Sequence, residues 1–172
     1  QEEPTPATPI RRILVPLDGS RLAEMALPEA IELAKANKGE IWLLQSVELP
    51  EYWGEEYAGM HALPSMISTE EQEIAAREYL LQSAEKLTSA GIPAQIVVTT
   101  GHAASAISDV VADNDIDLIV MSTHGRSGLS RWVFGSVAEK VVRLAECPVL
   151  LIRAQENIPL HEPTRQEPVP AL

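Results

Sequence analysis

The sequence predicts one α/β domain built on a five-stranded parallel sheet with helices on both faces. Three observations carry that reading. Five short apolar runs alternate with four segments whose apolar residues recur at helical spacing, in the order β-α-β-α-β-α-β-α-β. The runs are apolar at nearly every position, as strands buried on both faces are, and the helical segments between them are long enough to return each strand parallel to the last. The chain has 172 residues and is 45% hydrophobic, enough for one proper core.

Residues 1–9, QEEPTPATP, are polar and Pro-rich and read as a tail. The chain opens on Gln, which is compatible with an upstream segment having been removed. The domain proper is expected over 10–153. RILVPL (12–17) is the first strand. Ser20 can cap the helix that follows, whose stripe is Leu27, Ala30, Ile31 and Ala34. Pro28 should kink that helix, and Gly39, just past its end, should supply a left-handed cap. EIWLLQSV (40–47) is the second strand.

Residues 48–67 form a long connection carrying Tyr52, Trp53, Tyr57, Met60 and Met66. It either covers a ligand or, more simply, packs as a satellite cluster on the next helix. Ser68 or Thr69 opens a capping box with Glu71 or Gln72. That second helix runs to about Ala90, and Gly91 stops it. AQIVVT (94–99) is the third strand, and Ala103, Ala106, Ile107, Val110 and Val111 stripe the third helix. DLIVMS (117–122) is the fourth strand. The fourth helix starts near Gly135, with Val137, Ala138, Val141, Val142 and Ala145 on one face, and PVLLIR (148–153) is the fifth strand. Residues 154–172 contain four prolines and no strand or helix period, and read as a second tail.

Composition excludes several classes. The net charge of −12 argues against nucleic-acid binding, which needs a basic surface. No apolar run approaches the roughly 18–20 residues that span a membrane. The single cysteine, Cys147, cannot form an internal disulfide, which fits a cytoplasmic protein. His61, His102, His124 and His161 lack metal-ligand spacing. Asp113, Asp115 and Asp117 alternate like the start of a calcium loop but lack its glycine and its closing glutamate, so a solvated turn is expected.

In open parallel sheets ligands bind beyond the carboxyl ends of the strands. Asp18 stands just past the first strand, where a carboxylate can bind ribose hydroxyls or a ligand-bound Mg²⁺, or merely cap its own turn. After the fourth strand, Thr123 to Phe134 make a loop of about twelve residues, against roughly 2–6 for such connections. It holds Gly125 and Gly128, with Gly135-Ser136 opening the helix beyond it. Glycines let backbone N–H groups approach a phosphate, and a helix N-terminus favours an anion. Arg126 and Arg131 would add charge. Neither G-x-x-x-x-G-K-[ST] nor G-x-G-x-x-G occurs.

What stands there is Ser122-x2-Gly125-x9-Gly135-Ser136. That spacing resembles the universal stress protein family, whose ATP-binding members carry G-x2-G-x9-G-[ST]. ILVPLDGS, DLIVMSTHGRSGLSRWVFGSVAEKVV and CPVLLIR also resemble that family, and the likeness covers about residues 11–153. The resemblance implies a nucleotide-binding α-hydrolase-like sheet of order 3-2-1-4-5 with ATP, and Mg²⁺ or Mn²⁺, in its crevice. By position, Pro16, Leu17, Asp18 and Val47 would line the adenosine side. Met121, Ser122, His124 and Gly125 would follow the ribose and phosphates, and Gly135, Ser136, Val137 and Ala138 would hold the phosphates. Asp18 would reach a metal through Mg-ATP. Ser122 replaces the first glycine of the pattern. If that position needs φ > 0, serine costs about 1 kcal/mol; if φ is negative, serine keeps the N–H and adds a hydroxyl.

The resemblance also implies a homodimer through the fifth strand (Val149 to Arg153), with the C-terminal tail crossing onto the partner. No catalytic residue is predicted, because no Lys follows the glycine loop and no general base is placed by spacing. The expected role is a nucleotide-dependent regulator of stress response with at most slow ATP hydrolysis. The rivals are an ATP-using transferase and a structural dimer that no longer binds nucleotide.

Overall fold

The computed structural model describes residues 9–48, 69–123 and 135–153. Outside the described residues lie the N-terminal tail through residue 8, all but the first residue of the 48–67 connection, Ser68, the stretch 124–134 with its arginines, and the Pro-rich tail.

The chain forms β1 (Arg12–Pro16), α1 (Arg21–Glu24), α2 (Leu27–Asn37), β2 (Glu40–Val47), α3 (Thr69–Ser89), β3 (Ala94–Thr100), α4 (Ala103–Asp113), β4 (Leu118–Thr123), α5 (Ser136–Leu144) and β5 (Val149–Arg153). All strand pairs are parallel and the order is β3-β2-β1-β4-β5, as the resemblance implied. It is one domain, with two apolar layers sandwiching the sheet. Ile13, Val15, Ile41, Leu43 and Val120 face Ala30 and Ala34 of α2 and Leu80 and Leu87 of α3. Leu14, Leu44, Ile119 and Met121 face Ile107, Val110 and Val111 of α4 and Ala138 and Val141 of α5. Neighbouring strand residues serve opposite layers, which is why the strands read as unbroken apolar runs.

Three local expectations are corrected. Pro28 does not kink one helix; it sits in the first turn of a second. Ser20 caps α1, its Oγ accepting from the Ala23 N–H at 3.1 Å, and α1 ends at once. Proline's missing N–H costs nothing in a first turn, so the break falls just ahead of Pro28. Gly39 is not the left-handed residue. Lys38 takes that conformation (φ 52°), and the Gly39 N–H closes the helix on the Ala34 carbonyl at 2.9 Å. Glycine is needed at 39 for another reason: a Cβ there would stand 2.6 Å from the Arg11 carbonyl oxygen. Val142 is not on the core face of α5 but 51% exposed, since Ala138 and Val141 take the core positions. Gly91 does stop α3, with φ 81°.

The acidic triplet is structural. The Asp117 carboxylate accepts the Arg11 and Arg12 N–H groups at 2.7 and 2.8 Å. Arg12 then reaches the Asn114 carbonyl at 2.9 Å and Glu40 at 3.3 Å. These contacts fasten the amino end of the sheet, opposite the end where the helices α4 and α5 begin.

Candidate functional site

The carboxyl ends of β1, β2 and β4 and the first turns of α4 and α5 enclose a cavity of about 390 Å³. That falls in the range of small-ligand sites, about 300–1,000 Å³. The position follows from topology. Strand order reverses at β1, so the connections after β1 and β4 leave to opposite faces and open a crevice between them.

From β1 come Pro16, Leu17 and Asp18. The Leu17 N–H donates to the Leu44 carbonyl at 2.7 Å, holding the strand end in register. Asp18 Oδ1 accepts the Ser20 N–H at 2.9 Å, the local-turn role that the sequence left open. Its other oxygen has no partner among the described residues, so a ligand role stays available. From β4 come Met121 and Ser122. Ser122 is 8% exposed and its hydroxyl has no hydrogen-bond partner among the described residues. The non-glycine residues with positive φ are Lys38 and Asp115, so Ser122 occupies ordinary backbone space and carries no strain.

Gly135, Ser136, Val137 and Ala138 line the opposite wall at the start of α5. Gly135 is the N-cap, with φ −56° and ψ 150°, and gives no side-chain cap. The first backbone bond of the helix is from the Glu139 N–H to the Gly135 carbonyl, 3.0 Å. The N–H groups of Ser136, Val137 and Ala138 therefore have no acceptor among the described residues, and they sit at the positive end of the helix dipole.

Val47 is not part of the cavity wall. It is buried, and its carbonyl accepts the Gly101 N–H at 2.9 Å. His124 and Gly125 lie outside the described residues. The wall includes residues that sequence reasoning missed: Ala23, Leu44, Gln45, Ser46, Glu48, Ala103 and Ile107. A signal for two of them was present. A helix crossing from edge strand β3 to β4 passes over β2 and β1, so small or apolar residues in its first two turns, Ala103 and Ile107, meet the crevice. Ser46 Oγ is already spent, donating to the Gly101 carbonyl at 2.8 Å.

The wall's charged side chains are the carboxylates of Asp18 and Glu48. Just outside it, Tyr79 of α3 donates to Glu24 of α1 at 2.9 Å. Burial, the Glu24 bond and the negative field of Glu24 and Asp18 hold the Tyr79 hydroxyl well above its usual pKa. This bond ties α3 to the short helix that follows the Asp18 turn. Among the described residues no group of three His, Cys, Asp or Glu side chains is arranged to hold a metal. No described helix is long and apolar enough to cross a membrane.

The chain matches the universal stress protein family over residues 9–153. It is 32% identical over 143 residues to universal stress protein MJ0531 of Methanocaldococcus jannaschii, covering 83% of this chain and 82% of that one. Two solved structures share the fold. One is a universal stress protein in complex with cAMP, at 17% identity and TM-score 0.62, covering 86% of this chain and all of that one. The other is the Archaeoglobus fulgidus universal stress protein in complex with dAMP, at 22% identity and TM-score 0.58, covering 84% and 98%.

Proposed function

The chain belongs to the universal stress protein family, and from that premise we propose that it is an ATP-binding regulator that works as a homodimer. The observation that carries the nucleotide reading is the open cap of α5. Gly135 has the extended geometry of an N-cap, in which Ser, Thr, Asp or Asn would satisfy a first-turn donor. A glycine there leaves three N–H groups facing a cavity, beside the unpartnered hydroxyl of Ser122 and the exposed hydroxyl of Ser136. Donors so placed suit phosphate oxygens. The nucleotide complexes known for two relatives of the same fold favour the same ligand class.

On this reading Pro16 and Leu17 flank the nucleoside, while Met121 and Ser122 meet the ribose and phosphates with His124 and Gly125. Gly135, Ser136, Val137 and Ala138 hold the phosphate oxygens. Val47 contributes by fixing the Gly101 turn at the rim. Mg²⁺ or Mn²⁺ arrives with the phosphates and takes the free oxygen of Asp18. A bound metal would neutralise phosphate charge that the two wall carboxylates otherwise repel.

Assembly is proposed through β5. It is the edge strand, paired on one side only by β4, and Val149, Leu150, Leu151 and Ile152 are all partly exposed. An apolar edge with open backbone groups needs cover, and a second copy related by a twofold axis supplies it.

The test is titration calorimetry with ATP, with and without EDTA, on wild type and Asp18→Asn. Wild type should bind ATP more tightly with Mg²⁺, and Asp18→Asn should remove most of that difference while leaving metal-free binding nearly unchanged. No heat of binding under either condition, with no nucleotide released on denaturing the purified protein, would refute the reading.

A further inference from the structure

Gln45 has a buried acceptor that nothing in the fold uses. It lies near the carboxyl end of β2, on the cavity wall, and its Oε1 is shielded from solvent with no hydrogen-bond partner. A buried acceptor left without a donor carries a desolvation penalty, so nearly all such atoms in folded proteins are partnered. The neighbours explain why no donor comes from the protein. Gln45 pairs with Val98 on β3, and on the other side the Leu17 N–H is already committed to the Leu44 carbonyl. Strand alternation puts the Gln45 side chain on the face of Ile41 and Leu43, the layer that also holds Leu17 and Ala23. Leu17 and Ala23 both line the cavity, and both are apolar. At this end, then, the cavity is an apolar slot with one unspent carboxamide. The other polar groups nearby are used: Ser46 on Gly101, and one Asp18 oxygen on Ser20.

We propose that Gln45 reads the base: its carboxamide oxygen accepts the exocyclic amine of a 6-aminopurine and so selects adenine over 6-oxopurines. This rests on the nucleotide reading above and deepens it. The cavity is polarised. Its donors cluster at the start of α5 and its orphan acceptor stands on β2. A ligand that satisfies both has an anion at one end and an amine on a flat apolar ring at the other. A carboxamide matches adenine in a second way, since its oxygen can take the amine while its nitrogen donates to the adjacent ring nitrogen. A 6-oxopurine sets a carbonyl oxygen where the amine stands, acceptor against acceptor.

The experiment is titration calorimetry of the full chain with ATP and with ITP, which differ at that group. Wild type should bind ATP about tenfold tighter, the scale of one buried hydrogen bond left unmade. Gln45→Leu should bring the two affinities within about twofold, chiefly by weakening ATP. Gln45→Glu, which keeps an acceptor and removes the amide donor, should retain the preference for ATP. Each ratio is measured within one variant, so a general loss of stability does not imitate the effect. If the Leu variant does not fold, the wild-type ratio and the Glu variant decide. Equal wild-type affinity for ATP and ITP, or a Leu variant that keeps the wild-type ratio, overturns the base-reading role and leaves nucleotide binding standing. If wild type binds neither nucleotide, both readings fall together.

Discussion

Replacing Gly135 by Asn or Asp should stabilise the empty protein and weaken its hold on ATP. The opposite signs follow from one geometry. Gly135 has φ −56° and ψ 150°, a conformation open to any residue, so no backbone strain accompanies the change. Asn and Asp are good N-caps, better than glycine by a few tenths of a kcal/mol. Replacing glycine where the native φ allows it adds roughly 0.4–1 kcal/mol by restricting the unfolded chain. Together these should raise the thermal midpoint by about 1–4 °C. In either variant the new side chain accepts a first-turn N–H that the phosphate needs. Displacing it should cost on the order of 1–1.5 kcal/mol, or about tenfold in ATP affinity for Asn. Asp adds charge repulsion. Two unit charges at about 4 Å repel by about 4 kcal/mol at an effective dielectric of 20, and solvent and salt reduce that. A further tenfold loss relative to Asn is expected, and the gap should narrow as salt rises. Thermal melts of the apo proteins and ATP titrations at two salt concentrations read all of this. If stability rises as expected and ATP affinity is unchanged in both variants, the phosphates do not sit at α5.

Three further outcomes are expected. Gly39→Ala puts a Cβ 2.6 Å from the Arg11 carbonyl oxygen, itself held by the Glu40 N–H at 2.7 Å, so urea unfolding should show a loss of about 1–3 kcal/mol. Tyr79 keeps its proton in the folded state above the pH near 10 where the unfolded side chain loses it. The unfolded state then binds fewer protons, so stability should fall as pH rises past about 10, and Tyr79→Phe should flatten that fall while costing about 1 kcal/mol at neutral pH. Leu151→Lys should shift the protein towards monomer or precipitate; a soluble wild-type monomer by light scattering at micromolar concentration would remove the reason for the change.

The fold was legible because its strands are buried on both faces. Residues 13–15, 41–44 and 118–121 have no polar interruption, and that continuity separates a parallel core strand from an edge. Boundaries blurred where backbone contact, not side-chain pattern, decides them. Nothing in the stripe Leu27, Ala30, Ile31 and Ala34 reveals that α1 ends before Pro28, since a proline fits both a kink and a first turn. Gly39 was read as a conformational glycine, but its constraint is the Arg11 carbonyl of a strand start 28 residues earlier, a contact that exists only after folding. Half the site was readable from residues that break pattern: Asp18 after an apolar run, and Gly135 before an apolar stripe. Gln45 and Ser46 were invisible because they sit inside a run that reads as strand, and only the strand order brings their end of β2 to the cavity.

The two ends of the sheet treat their polar groups in opposite ways, and that contrast is the strongest structural reason for looking to the carboxyl end for function. At the amino end each polar group closes on a neighbour. Asp117 takes two backbone N–H groups, Arg12 bonds a helix-end carbonyl, and Glu40 holds both Arg12 and the Trp42 indole N–H. At the carboxyl end the fold leaves an uncapped helix start, a buried serine hydroxyl and a buried carboxamide oxygen, all on one cavity wall. One of these alone is an ordinary imperfection. Three at one place each carry a desolvation cost, and they are complementary in kind: donors on α5, a hydroxyl on β4 that can do either, and an acceptor on β2. The protein cannot satisfy them with one another, because they lie on different walls of an open space. A ligand with matching groups can, and it would gain at once what each of them lacks in the empty fold.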